Sequence, residues 1–182
     1  MILTREVATG LQVRDDGDGR ILFGPMLLWN VEARVLDRGR LVVETFERGA
    51  LAGTDPGRIP LTARHPRDAS ELPIGRLVEL EERDDAAWMA ARVSRTAAGD
   101  EVLSLAADGV PLGLSIGFRE AVGGSRWSPD RRRVVRTRAE LDHLAVVRTG
   151  AYVGAGVVGV REHGSWPPEA YPLLSLARLR HG

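Results

Sequence analysis

Short apolar runs separated by turn residues are the feature that most limits what this chain can fold into. In its first third such runs occupy 21–29, 40–46 and 58–66, and the segments DDGDG, DRG and GTDPG lie between them. Runs of this length, bounded by glycine, proline and aspartate, are typical of β-strands. We therefore predict a strand-rich N-terminal part.

The next two runs predict a β-hairpin. Residues 74–82 and 86–94 alternate apolar with polar positions, and the acidic, turn-compatible Arg83-Asp84-Asp85 joins them. Alternation with a period of two indicates strands that have one solvated face.

The stretch between Gly99 and Gly109 changes to helical spacing. Asp100 is available as an N-cap and Gly109 as a terminator, so the pattern predicts one helix of about ten residues. The apolar residues at this spacing are Val102, Leu103, Leu105 and Ala106.

Strand character returns after the helix. Runs at 110–118, 141–147 and 151–160 are interrupted by an arginine-rich segment around SRWSPDRRR, which we interpret as a loop. We expect one domain over 1–163 and a C-terminal tail over 164–182 that is loosely attached or forms a short helix. The predicted class is α+β, mainly β, with a barrel or curled sheet and a few helices outside it.

Two missing residue types narrow the chemistry. The chain has no cysteine, and all 25 of its basic residues are arginine. Thiol nucleophiles, disulfides, thiolate metal sites and a serine–lysine catalytic pair are therefore excluded. A nucleophilic serine in this chain must use histidine or a carboxylate as its base.

Charge and hydropathy indicate a protein that stays in the cytosol of the cell that makes it. The sequence shows no apolar stretch long enough to span a bilayer and no secretory leader, so we expect no membrane partner. The arginines near Trp127 suggest a nucleic-acid patch, but zero net charge and a single short loop favour a solvated loop or an acidic partner. We expect no nucleic acid. The arginines of this cluster are Arg131, Arg132, Arg133, Arg136 and Arg138.

His65 is the first candidate for catalysis. It ends an apolar run just before Pro66, and a histidine at a strand end can be held by the sheet while it reaches a cleft. Its alternative role is that of a turn-capping or solvent-facing residue.

Ser115 is the candidate nucleophile. Gly113 and Gly117 flank it in GLSIGF, where small neighbours allow a substrate backbone to approach and leave amides available to an oxyanion. The alternative is an ordinary strand serine at a bulge. The G-x-S-x-G spacing also matches the nucleophile elbow of α/β-hydrolases, with Asp142 and His163 as partners, but that motif needs a helix directly after the serine.

Asp142 and His143 compete for the role of the third catalytic residue. As neighbours on a predicted strand they should point to opposite faces, so that only one can face His65. Asp142 would orient the base as a carboxylate, and His143 is the alternative. A metal site built from His65, Asp68, Asp142 or His143 is disfavoured because no ligand spacing is present. We expect no metal and no cofactor.

In chain order these segments resemble the prohead serine proteases of tailed phages, a family similar in fold to the herpesvirus assemblins. The resemblance covers roughly 20–160 and is carried by FGPMLLWN, ETFERGALAG, RIPLTARHP, PIGRLVELEE, DGVPLGLSIGF and ELDHLAVVRTGAY. It assigns the base to His65, the nucleophile to Ser115 and the third role to Asp142, with His143 as the alternative. Many members of the family carry glutamate at the position of Asp142, whereas assemblins use histidine as third member. Assemblins also use a later arginine at the oxyanion, for which Arg148 is the nearest candidate, although its spacing matches poorly.

The resemblance implies an assemblin-like closed or curled barrel surrounded by a few helices. It also implies a serine endopeptidase that cleaves scaffold and capsid-protein segments, and itself, within a phage procapsid in the cytoplasm of the bacterial host. A weak homodimer fits this expectation. The alternatives are a non-catalytic module that binds capsid or scaffold protein on the same fold, and a serine esterase acting on small substrates.

Overall fold

The computed structural model describes residues 3–7, 11–14, 18–64 and 71–148. The expected strand at 151–160, the tail at 164–182 and the candidate base His65 lie outside the described residues.

Strands dominate the described part of the chain. They are β1 (Leu3–Val7), β2 (Gln12–Arg14), β3 (Ile21–Leu28), β4 (Ala33–Asp37), β5 (Arg40–Phe46), β6 (Pro60–Thr62), β7 (Gly75–Glu82), β8 (Ala86–Val93), β9 (Leu112–Glu120), β10 (Ser125–Trp127), β11 (Arg133–Arg136) and β12 (Ala139–Arg148). The α-helix α1 (Ala97–Ala107) and a 3₁₀ turn (Pro56–Arg58) complete the described elements. The mainly β class is confirmed.

Two sheets contain the described strands. The larger has eight strands in the order β1-β9-β12-β6-β7-β8-β3-β2, and the smaller has four in the order β10-β11-β5-β4. The larger sheet curls into a half-barrel and is open, because β1 and β2 form its two ends. The closed form of the expected barrel is therefore wrong and the curled form is right. Phe46 of the smaller sheet stacks edge-on against Phe118 of the larger one. The smaller sheet therefore covers apolar surface of the larger sheet, which in a closed barrel would lie inside the barrel.

The hairpin and the helix follow the sequence pattern, with one correction. Strands β7 and β8 pair antiparallel as predicted. Helix α1 ends before Gly109, whose φ of 74° suits glycine. Its N-cap is Thr96, whose side chain accepts from the Gly99 amide, and Asp100 lies in the first turn. The helix begins earlier than predicted because the threonine hydroxyl satisfies that amide.

The arginine-rich segment is only in part the loop that we predicted, because 128–132 form a turn. Its two flanks form β10 and β11, and β11 pairs with β5 in parallel. Arg136 is completely buried: its guanidinium donates to Glu44 at 2.7 Å and to Asp37 at 2.7 Å. Desolvation by burial lowers the pKa of Arg136, but the charges of Glu44 and Asp37 outweigh it, so the pKa is raised. The arginine is charged, paired and internal.

The main core lies on one face of β9 and β12. Alternate residues of β9 enter this core, namely Leu112, Leu114, Ile116 and Phe118. The period of two therefore places Gly113, Ser115 and Gly117 on the opposite face. None of the helices in the described ranges is long and apolar enough to cross a membrane.

Candidate functional site

Ser115 lies in the middle of β9, between two partner strands. It is opposite Glu6 of β1 and Ala145 of β12, and it is fully buried. The strand continues to Glu120 without a turn. A nucleophile elbow requires a helix directly after the serine, so this geometry excludes the elbow and removes the structural basis of the esterase alternative.

Strand β6 leads the chain towards His65 from the far side of β12. Thr62 is opposite Ala145 in parallel pairing, and its hydroxyl donates to the Leu144 carbonyl at 3.0 Å. Because Ala145 is also opposite Ser115, the three residues form one row across the sheet. Two strand spacings separate Thr62 from Ser115, which is about 10 Å. The chain reaches His65 three positions after Thr62, beyond the described residues.

His143 is brought onto the same face as Ser115. It is buried and is opposite Gly117 in the β9–β12 pairing. A Cβ added to Gly117 would lie 2.2 Å from Cε1 and 2.5 Å from Nδ1 of this imidazole. The ring therefore rests directly on the glycine Cα, in space that any other residue would fill.

A β-bulge brings Asp142 and His143 together. The pairing register shifts between Leu141 and His143, which leaves Asp142 as the extra residue. The Asp142 carboxylate lies 3.0 Å from His143 Nδ1. Strict alternation predicted that the two side chains would be separated by the sheet; this is wrong, because the bulge breaks the alternation.

Arg119 completes the cluster and was missed by the sequence reasoning. Its guanidinium forms an ion pair with Asp142 at 2.5 Å. The sequence contained a signal for Arg119. Ser115, Gly117 and Arg119 follow one another at intervals of two residues, so in a strand their side chains lie on the same face. The side chain of Arg148, the oxyanion candidate, lies outside the described atoms.

The cluster of Arg119, Asp142 and His143 can hold the imidazole in one tautomer. Paired with a guanidinium, Asp142 is a carboxylate and only accepts hydrogen bonds, so His143 Nδ1 must carry the proton that lies between them. When the ring is neutral, Nε2 is then its acceptor nitrogen. An imidazole held in one tautomer by a carboxylate is the arrangement that proton-transfer sites use.

Comparison with known proteins gives a structural match. No family model and no curated protein matches the sequence. Among solved structures, the chain is similar to the capsid assembly protease of bacteriophage T4, with a TM-score of 0.51 and 12% sequence identity over 82% of this chain and 98% of that one. At that identity the likeness concerns the fold. The chain therefore has the fold of a phage capsid assembly protease.

Proposed function

We propose that this protein is a serine endopeptidase that cleaves scaffold and capsid-protein segments during phage procapsid maturation, with Ser115 as its nucleophile. The observation that carries the proposal is the fold shared with a phage capsid assembly protease, in which the chain places a serine and an imidazole–carboxylate pair on one sheet face.

His65 is the proposed general base. The row formed by Thr62, Ala145 and Ser115 supports this role, because it brings the strand that precedes His65 to the level of the serine. A base must come within about 3 Å of the proton that it removes, and the span from Thr62 to Ser115 is short enough for the following segment to bridge.

His143 is the proposed third member, with Asp142 behind it. The imidazole lies on the Ser115 face, whereas the carboxylate is bound to Nδ1 of that imidazole and to Arg119. This arrangement supports an order in which His143 orients His65 and Asp142 holds His143. In this order both candidates for the third catalytic role take part: His143 contacts the base, and Asp142 orients His143.

The reaction would proceed through an acyl-enzyme. His65 takes the proton of the Ser115 hydroxyl as its oxygen attacks the peptide carbonyl, and the same proton passes to the leaving amine when the peptide bond breaks. A water molecule, deprotonated by His65, then releases the acyl group and restores the hydroxyl.

Burial of Ser115 indicates that substrate access requires a rearrangement. The residue is fully buried in the isolated chain. We therefore expect slow turnover by the free protein, and activation where capsid and scaffold proteins surround it. A weak homodimer in the cytoplasm of the bacterial host is consistent with this picture.

Cells that produce the capsid and scaffold proteins together with this chain provide the test. Intact-mass analysis should show cut products with wild type and uncut ones with Ser115→Ala and with His65→Ala. Two control variants should cut normally: Ser104→Ala, which changes an exposed helical serine, and His163→Ala, which removes the histidine that an elbow would need. Cleavage that survives Ser115→Ala would end the proposal.

The same assay separates the two candidates for the third role. Loss of an orienting group costs up to about ten-thousandfold in a serine triad, so His143→Ala should approach that loss. Asp142→Asn should lower the cleavage rate by a smaller factor, because Asp142 acts through His143. Equal small effects would mean that neither residue orients the base.

A non-catalytic module that binds capsid or scaffold protein is the second candidate, and the full burial of Ser115 favours it. In that case wild type would bind the capsid or scaffold protein, and the mass of both would stay unchanged.

A further inference from the structure

We infer that Arg119 is a positioning residue for the proposed reaction: it holds the Asp142 carboxylate against His143 and thereby fixes the tautomer of that imidazole. The inference rests on the proposed function for its catalytic consequence, whereas the effect on His143 itself depends only on the described contacts.

The geometry forms a continuous chain of three side chains. Arg119 contacts one carboxylate oxygen of Asp142 at 2.5 Å, and the other oxygen lies 3.0 Å from His143 Nδ1. Both oxygens are thus engaged on opposite sides. A carboxylate held at both oxygens loses the freedom to rotate away from the imidazole.

The bulge gives Arg119 this partner. In register Arg119 is opposite Glu140, an exposed acid on the same strand as Asp142. The guanidinium nevertheless reaches the extra residue of the bulge. Regular pairing would leave the arginine beside Glu140, so the bulge and the arginine together build the cluster.

Burial distinguishes this ion pair from an ordinary surface pair. The Arg119 side chain is 55% exposed, but Asp142 is only 20% exposed and His143 only 6%. The exposed arginine therefore neutralises a carboxylate that lies at the edge of a buried imidazole. Removing it leaves that carboxylate without the charge that faces it, and hydration then competes with the Nδ1 contact.

Tautomer measurement is the direct test. Correlation spectra of the imidazole ¹⁵N and ¹H nuclei, with His143 assigned by the loss of its signals in His143→Gln, should show a proton on Nδ1 in wild type. Arg119→Met should shift the neutral ring towards a mixture with the Nε2–H form, as Asp142→Ala should, and Arg119→Lys should restore Nδ1–H. Arg133→Met is the matched control, since Arg133 is 59% exposed and is paired with Glu32 elsewhere on the molecule.

Cleavage of the scaffold protein supplies the second measurement. Arg119→Met should slow it about tenfold, which corresponds to about 1.4 kcal/mol in the barrier, and Arg119→Lys should recover most of the rate. An unchanged tautomer in Arg119→Met, or the same change in Arg133→Met, would overturn the inference. If wild type cleaves nothing while the tautomer responds as described, the proposed function fails and only the effect of Arg119 on the His143 tautomer stands.

Discussion

Single residues decide whether the site can form. The flanking glycines identified Ser115 in the sequence, where their small size suggested room for a substrate. The structure gives Gly117 a different neighbour, the His143 imidazole. This contact could not be predicted because it depends on the bulge at Asp142, and a period-two pattern assumes that no bulge is present.

Gly117→Ala tests the contact between the glycine and the ring. The new methyl group would lie 2.2 Å from Cε1 of His143, so the ring must move or the strands must separate. We expect a loss of about 1–3 kcal/mol in the free energy of unfolding, which is typical of overpacking, together with loss of cleavage. Chemical denaturation measures the first and intact mass the second.

Gly57→Ala is the control for that variant. A Cβ at Gly57 would meet its nearest neighbour, an Asp55 side-chain oxygen, at 3.4 Å, which is an ordinary contact. Its stability should stay within about 0.5 kcal/mol of wild type. If Gly117→Ala behaves in the same way, the imidazole does not rest on the glycine.

At the scale of elements, apolar patterning predicted the long strands and missed the short charged ones. Strands β3, β5, β7 and β8 carry runs that any alternation rule detects. Strand β11 reads RVVR, and its last arginine looks solvated until its partners are known. Those partners are Glu44 and Asp37, 92 and 99 residues away in sequence. Pairing over such distances leaves no local pattern.

Arg136→Met should be strongly destabilising. It removes the guanidinium that Asp37 faces and one of the two that Glu44 faces inside the protein, and it also removes a donor to Ser125 at 2.9 Å. Breaking a buried ion pair from one side costs about 3–5 kcal/mol because a buried charge loses its partner. Urea unfolding of the variant measures this cost.

Arg126→Met provides the comparison for Arg136→Met. Arg126 of the same small sheet pairs with Glu47, the residue that follows β5, but its side chain is 62% exposed. Exposed pairs contribute about 0–1 kcal/mol, so this variant should remain close to wild type. Similar losses in the two variants would contradict the view that burial makes Arg136 important.

At the scale of the whole molecule, charged groups join the two apolar clusters that the described residues form. The main core belongs to the large sheet, and a small cluster of Ala33, Val35, Val42 and Val134 belongs to the other sheet. Glu44 of the small sheet binds Arg5 of the large one through two contacts, the longer at 2.9 Å. Arg5 and Arg136 both lie over the Phe118 ring, three residues after Ser115. Sequence patterning predicted a single domain over 1–163; this stays a prediction, and the junction would be its physical basis.

The two sheets should therefore unfold in one transition. Trp127 packs against the small cluster, whereas most strands belong to the large sheet and dominate the far-ultraviolet circular dichroism. In a variant that keeps Trp127 and has phenylalanine at Trp29, Trp88 and Trp166, fluorescence and dichroism should give the same urea midpoint, as two-state unfolding requires. Adding Arg136→Met should weaken the junction and move the fluorescence midpoint below the dichroism midpoint. Separate midpoints without that substitution would mean that the small sheet is an independent unit and that its ion pairs do not stabilise the strand that carries Ser115.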